Sequence, residues 1–296
     1  MQDPIRRTHT GRALHLARRT FAATGFVGLL SLLSGPASAQ LNNRVPLGTE
    51  NTGVTQKLGA QAPLEQVFTD QDGRIVTLGD SFQEGRPVLL TLNYSNCPQL
   101  CILQLDGLVN SLNEVGFELG SEVQVVTVSL DPTEPAERAK LTQELYMGRY
   151  TGEGGPEGWT WLVADNEADI RRVSDAVGYG YDLDPRTGEY SHEAAFMLMT
   201  PEGKVSRYLF GIEPDPTSLR MSLVSASEGG LGTLTDRIRM FCYRYDPDSG
   251  SYSMVAVNVM KLGGLVTMLV LGGFLFLFWR QDLLAQLKGD SAETSR

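Results

Sequence analysis

The sequence predicts an α/β fold with a partly parallel central sheet between helices, followed by a transmembrane helix near the C-terminus. Pro87–Tyr94 and Val123–Leu130 are near-continuous apolar runs, as expected of strands that are buried on both faces. Between them, Leu100–Val115 carries leucines at helical spacing. Strands that alternate with helices are typical of parallel sheets, so these three segments predict an α/β sandwich.

The other elements follow from turn residues and from residues that begin helices. The Asp72-Gly73 turn predicts a strand directly after it, and Pro135 with the acids that follow it predicts the start of a helix. A turn at 201–203 predicts an antiparallel hairpin. The remaining expected elements are the strands Arg74–Leu78, Thr160–Ala164, Ala195–Thr200 and Val205–Phe210, and the helices Pro135–Tyr150, Glu167–Val177 and Pro216–Ser227.

Composition excludes several classes of protein. The chain has 296 residues, of which 42% are hydrophobic, and this share is too high for a disordered chain. Its three cysteines are too few for a small disulfide-stapled fold. The net charge of -10 argues against nucleic-acid binding, which needs a basic surface.

The N-terminal segment has the pattern of an export signal. Residues 1–20 hold five arginines and one acid, Phe21–Leu33 is apolar, and Ala37-Ser38-Ala39 has the A-x-A form of a cleavage site. We expect a signal peptide at 1–39, of the Sec type rather than the twin-arginine type. An uncleaved N-terminal membrane anchor is the alternative.

A second membrane segment lies near the C-terminus. Leu262–Trp279 is a run of 18 residues without charge, and the apolar residues before Lys261 extend it to the ~20 residues that cross a bilayer. Gly263-Gly264 and Gly272-Gly273 would let another helix approach, although glycine is common in membrane helices in general.

With an exported N-terminus, this order of segments sets the topology. The functional domain is expected in the periplasm, on a single-pass protein of the inner membrane. The expected organisation is a flexible tether at 40–62, the α/β domain at 63–228, a loop-rich connector at 229–253, a transmembrane helix at 254–280 and a cytoplasmic tail at 281–296.

Two cysteines lie where α/β proteins place their sites. Cys97 and Cys101 stand between the strongest strand and the next helix, in the sequence Cys-Pro-Gln-Leu-Cys. The amides and the dipole at a helix start favour thiolates, and a spacing of four residues puts both sulfurs on one side of a helical turn. The pair is therefore expected to be redox-active or to bind a metal.

One histidine is available to such a site. His9 and His15 lie in the predicted signal peptide, which leaves His192, just before the strand at 195–200. Two thiolates and one imidazole form a soft ligand set that suits Cu(I), and Zn(II) would need a fourth ligand. A solvated histidine without a ligand role is the alternative reading of His192.

The pattern resembles the Sco (SenC) family. The Cys-Pro-x-x-Cys sequence after a buried strand, Val-Ser-Leu-Asp-Pro at 128–132, and the distant histidine before a hairpin occur in that family's order over roughly 58–228. The resemblance implies a thioredoxin-like domain that binds copper through Cys97, Cys101 and His192. It also implies a role in assembling the binuclear copper centre of cytochrome c oxidase subunit II, and places Asp131 near the site.

The sequence departs from that family at three points. Ile102 stands where a second proline is usual, Ser191 where an aspartate commonly precedes the histidine, and the predicted anchor is C-terminal rather than N-terminal. These departures bear on copper affinity and on the identity of the client, since the ligand residues themselves match.

Four more residues bear on the site. Asp131, before Pro132, also fits an ordinary turn. Met197 and Met199 alternate along a strand, which favours a place in the core over copper binding. Cys242 is an odd thiol that could pair between chains, bind a metal or be unreactive.

The sequence as a whole predicts a copper-binding assembly factor that delivers copper to an oxidase subunit II. A thioredoxin-like reductant and another copper chaperone are further expected partners, and nucleic acid is not one. A thiol:disulfide oxidoreductase using Cys97 and Cys101 is the main alternative. A thiol peroxidase and a pure scaffold are the others.

Overall fold

The computed structural model describes residues 51–228 and 231–293. The predicted signal peptide at 1–39 and the first part of the predicted tether lie outside the described residues. The strands are β1 (Gly53–Val54), β2 (Val67–Asp70), β3 (Ile75–Thr77), β4 (Val88–Asn93), β5 (Gln124–Ser129), β6 (Trp159–Val163), β7 (Tyr179–Asp184), β8 (Glu189–His192), β9 (Ala195–Met199), β10 (Val205–Phe210), β11 (Tyr243–Asp246) and β12 (Ser251–Met254). The helices are α1 (Leu100–Val115), α2 (Ala136–Met147), α3 (Glu167–Ala176), α4 (Pro216–Ala226), α5 (Leu234–Cys242) and α6 (Ala256–Glu293).

Seven strands form a central mixed sheet in the order β10-β9-β4-β5-β6-β2-β3. The middle strands β4, β5 and β6 are parallel, and the pairs on either side of them are antiparallel. Asn93 at the end of β4 is in register with Ser129 at the end of β5. The carboxyl ends of these two strands therefore meet at one edge of the sheet, where the chain turns toward Cys97.

The core lies on both faces of this sheet. Every residue of β4 and β5 is buried, which explains why their sequences are apolar runs without alternation. One face packs against α1, α2 and α4, and the other packs against α3 and β7. Met197 and Met199 are fully buried on the second of these faces, so their predicted place in the core is confirmed. The architecture is the expected α/β sandwich of thioredoxin-like type.

A second, three-stranded sheet has the order β1-β7-β8 and was not predicted. His192 ends β8 and is in register with Tyr181 of β7. β1 belongs to the predicted flexible tether, yet it pairs with β7 and Thr55 N–H donates to the Gly178 carbonyl at 2.8 Å. Residues 51–62 are therefore part of the folded domain, because their backbone completes this small sheet.

The described part of the predicted connector, from residue 231 onward, is also folded, so the expectation of a loop-rich segment is wrong for these residues. We call residues 231–254, which include α5 and the β11–β12 hairpin, the clasp. It is joined to the domain by the Tyr245 hydroxyl, which donates to the Tyr208 carbonyl at 2.7 Å, and by the Tyr252 N–H, which donates to Ser218 at 3.2 Å. The Arg207 guanidinium lies 5.0 Å from the centre of the Tyr245 ring.

The described residues include one helix segment long and apolar enough to cross a membrane, Val257–Arg280 within α6. Its 24 residues exceed the ~20 that span a bilayer, and none of its apolar stretch is buried against the rest of the protein. Phe274 and Phe278 contact each other along its surface, with ring centres 4.6 Å apart.

Removing the Asp236 carboxylate is expected to destabilise the clasp and the domain together. Asp236 accepts hydrogen bonds from Arg220 Nε at 2.8 Å and Nη2 at 2.9 Å, and its side chain is only 3% exposed. It also accepts from Thr233, at the start of α5. We expect Asp236→Ala to cost about 3 kcal/mol, measured by thermal unfolding of the full chain in detergent micelles.

The control is Asp248→Ala in the exposed hairpin turn, which should leave the Tm unchanged. If both variants melt like the parent, the clasp does not contribute to the stability of the domain.

Candidate metal centre

Cys97 lies in the turn that joins β4 to α1, and Cys101 lies in the first turn of α1. Gln99 precedes this helix without a side-chain cap, so the first amides need another acceptor. The Cys101 N–H donates to the Cys97 sulfur at 3.2 Å. Both residues are thiols rather than a disulfide, and both are buried. The spacing of four residues thus places the first sulfur over the open end of the helix.

His192 completes the group from the second sheet. Its Nε2 lies 3.3 Å from the Cys101 sulfur. The two sulfurs and one nitrogen of the imidazole all lie within 4.8 Å of one another, and all three residues are buried. The structure therefore brings together the three site residues that the sequence indicated. Among the described residues, these three form the one such group of metal-ligating side chains.

The two thiols have opposite pKa shifts. A hydrogen bond from the Cys101 thiol lowers the pKa of Cys97 to about 3, against the effect of burial, and the hydrogen bond from the Cys101 backbone N–H assists. Burial raises the pKa of Cys101, and the neighbouring Cys97 thiolate raises it further. In the metal-free reduced state the pair therefore shares one proton, which is held on Cys101.

A buried carboxylate fixes the turn before Cys97. Glu134, just before α2, accepts the Ser95 N–H at 3.0 Å and also accepts from the Ser95 hydroxyl. The Ser129 hydroxyl, at the end of β5, donates to the same carboxylate at 2.6 Å. Arg138 of α2 donates to the Asn96 side chain at 2.7 Å. The turn that carries Cys97 is thus hydrogen-bonded to Glu134 and to α2.

Two buried amide side chains, Asn93 and Gln104, connect α1, which carries Cys101, to the backbone just after His192. The Asn93 side chain donates to Gln104 of α1 at 3.0 Å, and Gln104 donates to the Ala195 carbonyl at 3.0 Å. The Thr91 hydroxyl donates to Asn93. Because both amides are fully buried, each depends on these partners for its hydrogen bonds.

Tyrosines line one side of the site. The Tyr94 hydroxyl accepts the Tyr190 N–H at 3.2 Å, and the two rings meet edge to face. Burial raises the pKa of Tyr94, and the nearby Cys97 thiolate raises it further. The Tyr179 hydroxyl lies 2.7 Å from Nδ1 of His192. No sequence motif indicated these tyrosines, Glu134 or Gln104, because their contacts join separate strands and helices.

The remaining predicted residues lie as follows. Asp131 lies two residues after the end of β5. Its carboxylate accepts the Thr133 N–H at 2.8 Å and the Thr133 hydroxyl at 2.6 Å, as in the ordinary turn that was the alternative interpretation of this residue. Ile102 is 45% exposed in the first turn of α1, beside buried Cys101. Ser191 precedes His192 and is half-buried. Cys242 ends α5, and its side chain lies outside what the structure describes.

Fold and site define a thioredoxin-like domain with a buried dithiol beside one imidazole, a group able to hold a soft metal ion. The SCO1/SenC family model matches residues 58–225, more than half of the chain. The chain belongs to the SCO1/SenC family. No curated protein matches the sequence.

Solved structures share this fold at low sequence identity. A putative electron transfer protein from Aquifex aeolicus VF5 is 22% identical, with a TM-score of 0.51 over 57% of this chain and 94% of its own. Arabidopsis thaliana ScoI, solved with copper bound, is 20% identical with a TM-score of 0.45, over 58% and 99% of the two chains. BsSco, described with a disulfide switch as a member of the Sco family of cytochrome c oxidase assembly proteins, is 18% identical with a TM-score of 0.45, over 59% and 98%.

The different pKa values of the Cys97 and Cys101 thiols should appear directly in their rates of alkylation. With a pKa of about 3, Cys97 is a thiolate throughout the range from about pH 5 to about pH 8. Its rate of reaction with iodoacetamide should therefore be independent of pH in this range, and Cys101 should react far more slowly. Peptide mass spectrometry of the reduced, metal-free chain separates these two sites from Cys242.

The matched variant is Cys101→Ala, which removes the hydrogen bond that lowers the pKa of Cys97 most. Its Cys97 should then react faster as the pH rises. A rate at Cys97 of the parent chain that climbs about tenfold per pH unit would contradict the assigned thiolate.

Proposed function

We propose that this protein is a membrane-anchored, periplasmic copper-binding factor that delivers copper for the assembly of cytochrome c oxidase. The observation that carries the proposal is the convergence of Cys97, Cys101 and His192, with ligand atoms within 4.8 Å of one another. Membership of the SCO1/SenC family, and copper bound in the related Arabidopsis thaliana ScoI, support it.

The chemistry of the donors favours Cu(I) as the cargo. Two thiolate sulfurs and a neutral imidazole are soft ligands, and three of them satisfy Cu(I). A structural zinc site takes four ligands, whereas the group found among the described residues has three. Because Cys97 is a thiolate and Cys101 is not, copper uptake would displace the one remaining thiol proton.

The copper-accepting subunit II of an oxidase is the client that we propose. BsSco is described within a family of cytochrome c oxidase assembly proteins, which supports this assignment. A periplasmic domain on the inner membrane is consistent with the basic, apolar and A-x-A segments of residues 1–39 and with the apolar helix Val257–Arg280. Anchoring would raise the concentration of the domain at the surface that holds such a client.

Each of three substitutions should abolish copper loading. Cys97→Ser and Cys101→Ser remove a thiolate, and His192→Ala removes the imidazole. We expect the reduced full chain in detergent micelles to bind about one copper ion, and each variant to bind far less after desalting. Metal analysis by mass spectrometry gives the ratio of copper to protein.

The control for these losses is Cys242→Ser, which should bind as much copper as the parent. Stoichiometric copper in all three site variants would disprove the proposed site. A loss in Cys242→Ser would instead show that the three-ligand set is incomplete.

A thiol:disulfide oxidoreductase is the second candidate, favoured by the thiolate at Cys97 beside a protonated partner. In that reaction the Cys97 thiolate attacks a client disulfide, and one client thiolate leaves. Cys101 then loses its proton and attacks the mixed disulfide, which releases the second client thiolate and leaves a Cys97–Cys101 disulfide. A thioredoxin-like dithiol would have to reduce it again. None of these steps uses His192.

The His192→Ala variant separates the two candidates. In an oxidase assembly assay, copper delivery predicts that this variant fails as completely as Cys97→Ser, while its reduction of a model disulfide persists. If His192→Ala supports assembly as well as the parent while Cys97→Ser does not, the chain acts on client disulfides. The readout is the copper content and activity of the assembled oxidase.

A further inference from the structure

His192 contacts two oxygens through the ring nitrogen that faces away from the cysteines. Its Nδ1 lies 2.7 Å from the Tyr179 hydroxyl and 3.1 Å from the Glu193 carbonyl oxygen. The same hydroxyl lies 2.6 Å from the Glu193 carbonyl oxygen and 3.4 Å from the Leu92 carbonyl oxygen. When the imidazole is neutral, the Tyr179 oxygen, His192 Nδ1 and the Glu193 carbonyl oxygen share two hydrogens, one on the phenol and one on the ring.

The Glu193 carbonyl oxygen determines where those two hydrogens lie, because it can accept a hydrogen bond but cannot donate one. If Tyr179 donates to Glu193, its oxygen is free to accept a hydrogen from Nδ1. Every atom of the group then has a partner, and the lone pair of the imidazole is on Nε2. If Tyr179 donates to Nδ1 instead, the Glu193 carbonyl loses its donor at 2.6 Å and faces a second lone pair at 3.1 Å.

We infer that Tyr179 is a positioning residue that keeps the His192 proton on Nδ1 and so directs the Nε2 lone pair toward Cys101 and Cys97. Nε2 is the nitrogen that lies 3.3 Å from the Cys101 sulfur. The inference rests on the proposed function, because a metal ion is the species that this lone pair would bind. The position of the His192 proton, however, is a property of the metal-free protein and can be measured without a metal ion.

The position of Tyr179 is fixed from several sides. The residue starts β7, pairs with Val54 of β1 and is 1% exposed. Gly180 after it has no room for a side chain, since a Cβ there would clash with the Asn51 carbonyl oxygen. The Tyr208 hydroxyl donates to the Val177 carbonyl at 2.6 Å, two residues before Tyr179. The Tyr179 hydroxyl is therefore held in position by the backbone of the second sheet.

Tyr181 provides a matched control on the same strand. It is fully buried like Tyr179, and its backbone is the direct partner of His192 in the sheet. Its hydroxyl has no hydrogen-bond partner among the described residues. Tyr181→Phe therefore removes a buried hydroxyl close to the site without touching the hydrogen bonds of His192.

The first test needs no metal. The reduced full chain is labelled with 15N-histidine, held in detergent micelles at about pH 8, and examined by long-range 1H–15N correlation. His192 is identified as the resonance that is missing from His192→Ala. We expect Nδ1 to be the protonated nitrogen in the parent and in Tyr181→Phe. A proton on Nε2, or averaging between the nitrogens, in the parent would overturn the inference whether or not any variant folds.

The second test compares the two tyrosine variants. Tyr179→Phe should leave His192 averaging between tautomers and weaken Cu(I) binding by about 10- to 100-fold in competition with a chromophoric chelator. Tyr181→Phe should match the parent in both measurements. Parent-like tautomer and affinity in Tyr179→Phe would show that the Glu193 carbonyl alone holds the proton, against the inference. If the parent has the expected tautomer and binds no copper, the proposed function fails while the role of Tyr179 stands.

Discussion

The turn from Asn93 to Leu100 is the constraint on which the site depends. A fully buried strand ends there, and a helix without a side-chain cap begins within a few residues, so its first amides need an acceptor. The Cys97 sulfur meets this need by accepting the Cys101 N–H at 3.2 Å, and Glu134 holds the other side of the turn through Ser95. The two sulfurs are therefore placed by backbone geometry that the sheet already imposes. The Cys101 N–H also stabilises negative charge on Cys97, and the thiolate is the form that binds metals and attacks disulfides.

The third ligand group, the imidazole of His192, comes from the second sheet. His192 lies 91 residues from Cys101, at the end of β8, and β7 and β1 hold that strand in place. The helix that carries Cys101 is also joined to the segment that carries His192, because Gln104 of α1 donates a hydrogen bond to the Ala195 carbonyl just after His192. A shift of either half would leave buried amides without partners, at a cost of about 1–3 kcal/mol for each unpaired group. This buried network gives a physical reason for the close approach of the sulfurs and the imidazole without a metal ion.

The sequence predicted the parts of this arrangement that leave a periodic pattern. Strands β4 and β5 are buried on both faces and α1 carries its leucines at helical spacing, so their bounds were nearly correct. Cys97, Cys101 and His192 were found because few residue types bind soft metals and the chain has few of them. The second sheet was missed because β1 has two residues and β7 mixes buried and half-buried positions, which gives a weak alternation. Tyr179 and Glu134 could not be predicted, since each acts through a hydrogen bond to a residue on another element.

The clasp was missed for a similar reason, and it bears on how the proposed membrane anchor would work. Its strands are short and mostly half-buried, and they contact the domain through the Tyr245 hydroxyl and the Tyr252 N–H. Once folded, it ends at Met254, and α6 begins at Ala256, so one residue separates the hairpin from the helix that we propose to span the membrane. A long flexible connector would let the copper site sample many orientations above the bilayer, whereas a one-residue junction allows few. The clasp would therefore restrict the directions in which the cysteines can face a client. The proposed anchoring would then raise the effective concentration only for clients whose acceptor site lies within that restricted range.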